Sequence, residues 1–223
     1  MNQMKTIIKK AGMFYMALSF GLTSCETFDF GQEMGQKVIC IISDDDLVFT
    51  GMHDLNEPES TGYISVNCGG SLHIDRDVEV CMEYSPEVLA QYNKSKYDID
   101  EEKYAKELDS RYYTIPEMRV TLKASSADTY STMPIRVRPE GLSPDSIYFI
   151  PLRIRSVSAY SVNPDKCQVL YRVYMKNLYA RSDEASIYNA TGTTRKDGEN
   201  EVEAAASQTF HPLTKNTFRI FAG

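Results

Sequence analysis

Residues 140–179, EGLSPDSIYFIPLRIRSVSAYSVNPDKCQVLYRVYMKNLY, constrain the fold more than any other stretch of the chain. The first half alternates, with Tyr148, Ile150, Leu152 and Ile154 on one side and Phe149, Arg153 and Arg155 on the other. Cys167, Val169, Tyr171, Val173 and Met175 then alternate with Gln168, Arg172 and Lys176. A repeat of two places successive side chains on opposite faces of a strand. Between the halves, Tyr160-Ser161-Val162-Asn163-Pro164-Asp165 is rich in turn formers. Two long strands joined by a loop predict a sheet with one buried and one wet face.

The same rhythm recurs upstream. Residues 36–43 (QKVICIIS) read as a first core strand, and Asp44-Asp45-Asp46 as the solvated loop that ends it. Calcium loops space their ligands at alternate positions, so three adjacent carboxylates fit a strand-breaking loop better than a calcium site. Residues 62–68 and 71–84 read as two strands joined at Gly69-Gly70. Ser85-Pro86-Glu87 has the order of an N-cap, a first helical position and a first-turn acid, and predicts a short helix to about Lys94 with Val88, Leu89 and Tyr92 inward. A second helical patch is expected over 99–108, where Tyr104 and Leu108 stand four apart. Alternation returns at Met118, Val120 and Leu122, and again at Ile135 and Val137. The sum is seven or eight strands with a helical insertion around residues 85–108, a mainly β chain with the profile of a sandwich.

The N-terminus has a different character. Lys5, Lys9 and Lys10 precede an apolar run of about a dozen residues, too short for a spanning helix of roughly 20. It ends in Leu22-Thr23-Ser24-Cys25, the pattern of a lipoprotein cleavage site, with Cys25 as the acylated residue. Residues 1–24 are thus expected to be a signal peptide and 25–35 a tether. Removing them through residue 24 takes away three lysines and no acid, so the formal charge moves from -7 to about -10. Nucleic acid as a partner is excluded on charge, since phosphate neutralisation dominates such binding. The expected partner is instead the outer membrane, reached through the lipid, with the protein at the cell surface or, as the alternative, facing the periplasm.

Residues 36–180 are assigned to the sandwich, 181–209 to a polar linker, and 210–223 to a strand-like piece that would either complete the sheet or open a second domain. Cys40, Cys68, Cys81 and Cys167 allow three pairings. Cys68 and Cys81 could bridge the hairpin at Gly69-Gly70, but the plainer reading is four small side chains on strands. No CxxC occurs, and His53, His73 and His211 are scattered as surface or loop residues, so no metal or cofactor is expected.

The lipoprotein signal, SPEVLAQYNK (85–94), YYTIPEMRVTLKA (112–124), GLSPDSIYFIPLRIRSVSAYSVN (141–163) and VLYRVYMKN (169–177) resemble a family of Bacteroidetes surface lipoproteins. Its domain of unknown function also occurs N-terminal to some family-18 glycoside hydrolases. The resemblance implies an immunoglobulin-like β-sandwich, a setting in polysaccharide capture, and a further C-terminal domain entered near HPLTKNTFRIFAG (211–223).

Catalytic signatures are missing from the sequence. There is no GxSxG, no GxGxxG or GKS/T, and no DxxDxDxE run of a family-18 hydrolase. The carboxylates Asp100, Glu101 and Glu102 read as a solvated face rather than a glycosidase pair. Fifteen tyrosines and nine phenylalanines are the feature suited to a ligand, because sugar C–H faces pack on aromatic planes and the phenol adds a hydrogen bond. Tyr112, Tyr113, Tyr130, Tyr160 and Tyr188 stand in loops or off the apolar rhythm and are the candidate ligand-binding residues. The expected function is a non-enzymatic envelope module that binds glycan or serves a polysaccharide-utilisation system. The alternative is a structural or adhesive module that binds other envelope proteins.

Overall fold

A computed structural model of the chain describes residues 35–183, 186–195, 197–198 and 200–220. The signal peptide, Cys25 and all but the last residue of the tether lie outside them. The first strands are β1 Val38–Ile41, β2 Val48–Asp54, β3 Ser60–Gly69 and β4 Val78–Tyr84, followed by helix α1 Pro86–Tyr97. Then come β5 Lys106–Glu107, β6 Tyr113–Thr114, β7 Arg119–Leu122, β8 Tyr130–Val137, β9 Tyr148–Val157, β10 Ser161–Val162 and β11 Gln168–Lys176. The chain continues through β12 Ile187–Thr194, β13 Val202–Thr214 and β14 Thr217–Ile220.

Two sheets face each other. One runs β10-β1-β3-β8-β6, the other β2-β11-β9-β4-β7, with β5 beside β9. Ile64 and Val66 of β3 and Ile135 and Val137 of β8 meet Val80, Ile150, Leu152, Val169 and Val173 of the second sheet in one buried cluster. Each such side chain contributes about 1.5–3 kcal/mol relative to leaving it exposed. β1 pairs antiparallel with β3, whereas β2 pairs parallel with β11. The first strand therefore changes sheets in mid-course, as in immunoglobulin-like sandwiches. Asp44-Asp45-Asp46 is the crossing point: Val48 N donates to Asp44 Oδ1 at 2.7 Å, and Leu47 sits at φ 63°.

The expected single wet face is corrected at the start of β9. Phe149 and Leu170 point away from the sandwich core, yet they are 0% and 1% exposed. Val48, Val88, Leu89 and Ala105 cover them, with Tyr92 and Ile147 at the margin. Helix α1 thus lies on the outer face of the second sheet, and both faces of β9 are dry there. The helix begins as expected, with Pro86 at its start and Glu87 in its first turn, and Ser85 Oγ donates to Glu87 Oε2 at 2.9 Å.

The helical patch expected over 99–108 is a single 3-10 turn, Glu101–Lys103, followed by the extended β5. Competition from β9 explains it: Lys106 N donates to Ile147 O at 2.7 Å and Leu108 N to Phe149 O at 2.8 Å. Leu108 enters the main core rather than a helix face. Buried Asn93 locks this return, its Nδ2 donating to Ala105 O and its Oδ1 accepting from Ala105 N, both at 2.9 Å. Asn93→Ala strands both backbone groups and is expected to cost about 2 kcal/mol, read as a lower denaturant midpoint with an unchanged m-value.

Other expectations change as well. β3 and β4 lie in different sheets, so Gly69-Gly70 joins no hairpin, and Cys40, Cys81 and Cys167 are free thiols, which leaves no Cys68–Cys81 bridge. Residues 181–209, read as a polar linker, contain β12 and most of β13, which pair antiparallel from Ile187↔Thr209 to Thr194↔Val202. All eight residues of β12 are exposed, so no apolar face marks the strand in the sequence. His53, expected at the surface, is 0% exposed between the sheets, with Nε2 2.9 Å from the Tyr171 hydroxyl.

Candidate functional site

Beyond the cover of α1, the outer face of β11 presents Arg172 and then Tyr174. The Arg172 guanidinium carbon lies 4.4 Å from the centroid of the Tyr174 ring. Strand period brings this about, since residues two apart share a face. The loop 143–147 forms the opposite wall. Ser143 N donates to the Tyr148 hydroxyl at 3.3 Å, and Asp145 N to Ser143 Oγ at 3.4 Å.

The third wall comes from the C-terminal sheet, β12-β13-β14. Asn177, just past β11, holds it in place: its Nδ2 donates to Thr214 O at 2.7 Å and to Thr217 O at 2.9 Å. Its Oδ1 accepts from Tyr179 N and Ala180 N, both at 2.9 Å. Arg219 of β14 is ion-paired with Asp145. Ser182 is fixed by Met175 N, which donates to its Oγ at 2.8 Å, leaving the hydroxyl proton able to point outward.

Between these walls lies a cleft of about 350 Å³ that also includes His211 and Ile147. A second depression of about 460 Å³ adjoins it, sharing Asp145, Ser146 and Ile147 and extending to Tyr97, Tyr104 and Lys106. Lys106 Nζ donates to Ser146 Oγ at 3.2 Å at the junction. Each volume falls in the range of small-ligand sites, and each mixes an aromatic face with a few polar groups. No cluster of three metal-ligating side chains occurs among the described residues.

The five tyrosines named from the sequence are not brought together. Tyr112, Tyr113 and Tyr160 pack against the main core. Burial, and after it the Glu107 carboxylate, pushes the Tyr113 hydroxyl up. Tyr160 sits at φ 67° and donates to Asp75 Oδ1 at 2.7 Å. The Arg76 guanidinium first, and that phenol second, hold the Asp75 carboxyl down at about 2. Tyr130 is exposed at the start of β8, opposite Asn67. Tyr188 stacks on Phe210 at 4.1 Å, and Phe210 on Phe218 at 4.3 Å, so these rings spend their faces on one another. Arg172 and Tyr174 were not among the named residues. Their signal was present as two outward positions on one strand, but nothing local distinguishes them from an ordinary solvated face.

The model of a family's N-terminal domain matches residues 36–161, more than half of the chain, and that of its C-terminal domain matches 167–223. No curated protein matches the chain. Among solved structures, a Bacteroides ovatus protein of unknown function superposes with a TM-score of 0.63 at 18% identity, over 83% of this chain and 62% of the other. A multidomain Bacteroides ovatus protein including DUF1735 gives 0.62 at 17%, over 83% and 61%. An auxiliary nutrient binding protein from Bacteroides thetaiotaomicron gives 0.56 at 16%, over 81% and 63%. The chain thus spans about three fifths of the length of these structures, and the likeness at such identity is one of fold.

Proposed function

We propose, from the premise that the chain belongs to a Bacteroidetes family of unknown function with paired N-terminal and C-terminal domains, that it is a non-catalytic, lipid-anchored envelope module that holds glycan. The observation that carries this reading is the cleft on the outer face of the second sheet, where Arg172 and Tyr174 stand beside Ser146 and Ser182. Hydroxyl-rich ligands need an apolar plane and several donors and acceptors at fixed positions, and these four residues supply both. The fold shared with a nutrient binding protein lends support.

Retention of the full chain in gels cast with plant and host polysaccharides tests it. Tyr174→Ala removes the ring and is expected to weaken binding to a retaining polysaccharide about 10-fold, equivalent to about 1.4 kcal/mol. No retention in any gel, or turnover of a chromogenic glycoside abolished by one carboxylate substitution, would overturn the reading.

The anchor rests on Leu22-Thr23-Ser24-Cys25 after the short apolar run. Each buried acyl methylene contributes about 0.8 kcal/mol, so two or more chains on Cys25 hold a protein at a membrane. Among the described residues no helix is long and apolar enough to cross one. Labelled palmitate is expected in the chain and not in Cys25→Ser, and equal labelling would remove the anchor from the account. Protease shaving of intact cells distinguishes the outer surface from the periplasmic side.

One observation favours a second reading, a structural or adhesive protein-binding module. β12 is exposed throughout, and Ile187, Val202 and Ile220 add apolar surface to the same sheet at 61%, 61% and 49% exposure. An exposed sheet edge is a template for strand addition. A stoichiometric protein partner recovered without sugar would favour it.

A further inference from the structure

We infer that the cleft between β11 and the C-terminal sheet selects an acidic sugar, with the ligand's carboxylate on Arg172 and its ring against Tyr174. This rests on the glycan reading above and narrows it to a class of ligand.

The argument begins with charge. The whole chain carries a formal -7, so a polyanion meets net repulsion from most of the surface. Charges farther off than a Debye length, about 8 Å at physiological ionic strength, are largely screened. Local charge inside the cleft therefore decides. There, the Asp145 carboxylate is taken up by Arg219. Arg172 has no carboxylate partner among the described residues, and its guanidinium lies over the Tyr174 ring. Lys106 at the junction is bonded to the Ser146 hydroxyl rather than to an acid. Glu102 lines the adjoining depression and not this one.

Three other arginines of the sandwich show the opposite pattern, and Arg155, which shares the lack of an acid partner among the described residues, is exposed on β9 rather than set in a cleft. Arg119 is paired with Glu79 and Glu117, Arg138 with Glu59, and Arg153 with Glu83. An arginine without an acid partner in the depression of an acidic protein, half-buried and set over a tyrosine ring, is pre-organised for an anion that comes from outside. A guanidinium presents parallel donors that match a planar carboxylate at two points. The Ser182 hydroxyl, already accepting from Met175 N, can donate its proton to the same ligand. A carboxylate joined to a sugar ring fits a site where guanidinium edge and tyrosine face adjoin.

The test is retardation of the full chain in native gels containing polygalacturonate, dextran sulfate or a neutral mannan, with Arg172→Gln and Arg172→Lys beside the parent. The inference predicts retention by polygalacturonate that falls at least 10-fold in Arg172→Gln. Arg172→Lys keeps the charge without the fork and is expected to recover only part of it. Retention by the mannan alone leaves the glycan reading standing and overturns the acidic selection. Retention by dextran sulfate but not polygalacturonate overturns the carboxylate assignment. Equal retention of parent and Arg172→Gln overturns the role of Arg172, and no retention in any gel removes both readings together. Circular dichroism of each variant, unchanged from the parent, shows that the fold is retained in the comparison.

Discussion

Gly62→Ala is expected to destabilise the chain by about 3 kcal/mol, the upper end of ordinary overpacking, and Gly51→Ala by at least as much. A methyl group built on either glycine would lie 1.8 Å from the Tyr171 hydroxyl oxygen. The hydroxyl is wedged between β2 and β3, one from each sheet, and cannot swing away. Tyr171 is 0% exposed, and its oxygen is held 2.9 Å from His53 Nε2. The two glycines differ in a way that makes the cause testable. Against the ring carbon that bears the hydroxyl, the clash is 3.0 Å at Gly62 but 2.3 Å at Gly51. Tyr171→Phe, which deletes the oxygen, should therefore relieve most of the Gly62→Ala cost and little of the Gly51→Ala cost. Denaturant midpoints of the three single and two double variants complete the two cycles. Equal relief at both positions would place the strain elsewhere.

Acid should weaken the fold by about 3 kcal/mol between pH 6.5 and 4 through His53 alone. Burial between the sheets lowers this imidazole from 6.5 to about 4, a shift the Ser60 carbonyl only partly opposes. Ser60 O can only accept, at 3.1 Å from Nδ1, so Nδ1 carries the proton and Nε2 accepts from the Tyr171 hydroxyl. The neutral ring has both nitrogens satisfied, and a second proton would have nowhere to go. Between the two values the unfolded chain binds a proton that the folded chain refuses. Stability is therefore full above about pH 6.5 and lost as pH falls towards 4. The loss is large beside a typical folding stability of about 5–15 kcal/mol. Depressed carboxyls such as Asp75, held at about 2 against an ordinary 3.8, exert their effect below this window. His53→Asn keeps a donor and an acceptor but does not titrate, so its stability should be nearly flat from pH 6.5 to 4. Parallel slopes in parent and variant would show that some other group carries the acid sensitivity.

Period-two stretches were legible because one face of each strand meets the core. Val169, Tyr171, Val173 and Met175 do face it, as their spacing requires. Phe149 shows where that logic runs short, since the alternation marks it as outward and only tertiary contact with Val88 and Leu89 makes outward mean buried. The opposite failure occurs in β12, whose strand is wet on both faces and so carries no periodic mark. Residues 99–108 spell a helix locally, but hydrogen bonds to Ile147 and Phe149 outweigh that preference. The cleft proposed as the ligand site was the least legible part. Aromatic residues off the rhythm, such as Tyr112 and Tyr160, turned out to seal the core margin. Arg172 and Tyr174 lie on the rhythm, and their cleft exists only because Asn177 draws the β13–β14 turn alongside β11.

Hydrogen exchange of the full chain, with and without a polysaccharide that retards it in gels, bears most directly on the claim that this cleft holds the ligand. Ligand is expected to slow exchange at residues 143–147, 172–176 and 211–219 while the β3–β8 pair, on the far sheet, is unchanged. Protection confined to β12 and the exposed Tyr188 side of the C-terminal sheet, with residues 143–147 and 172–176 unaffected, would contradict it.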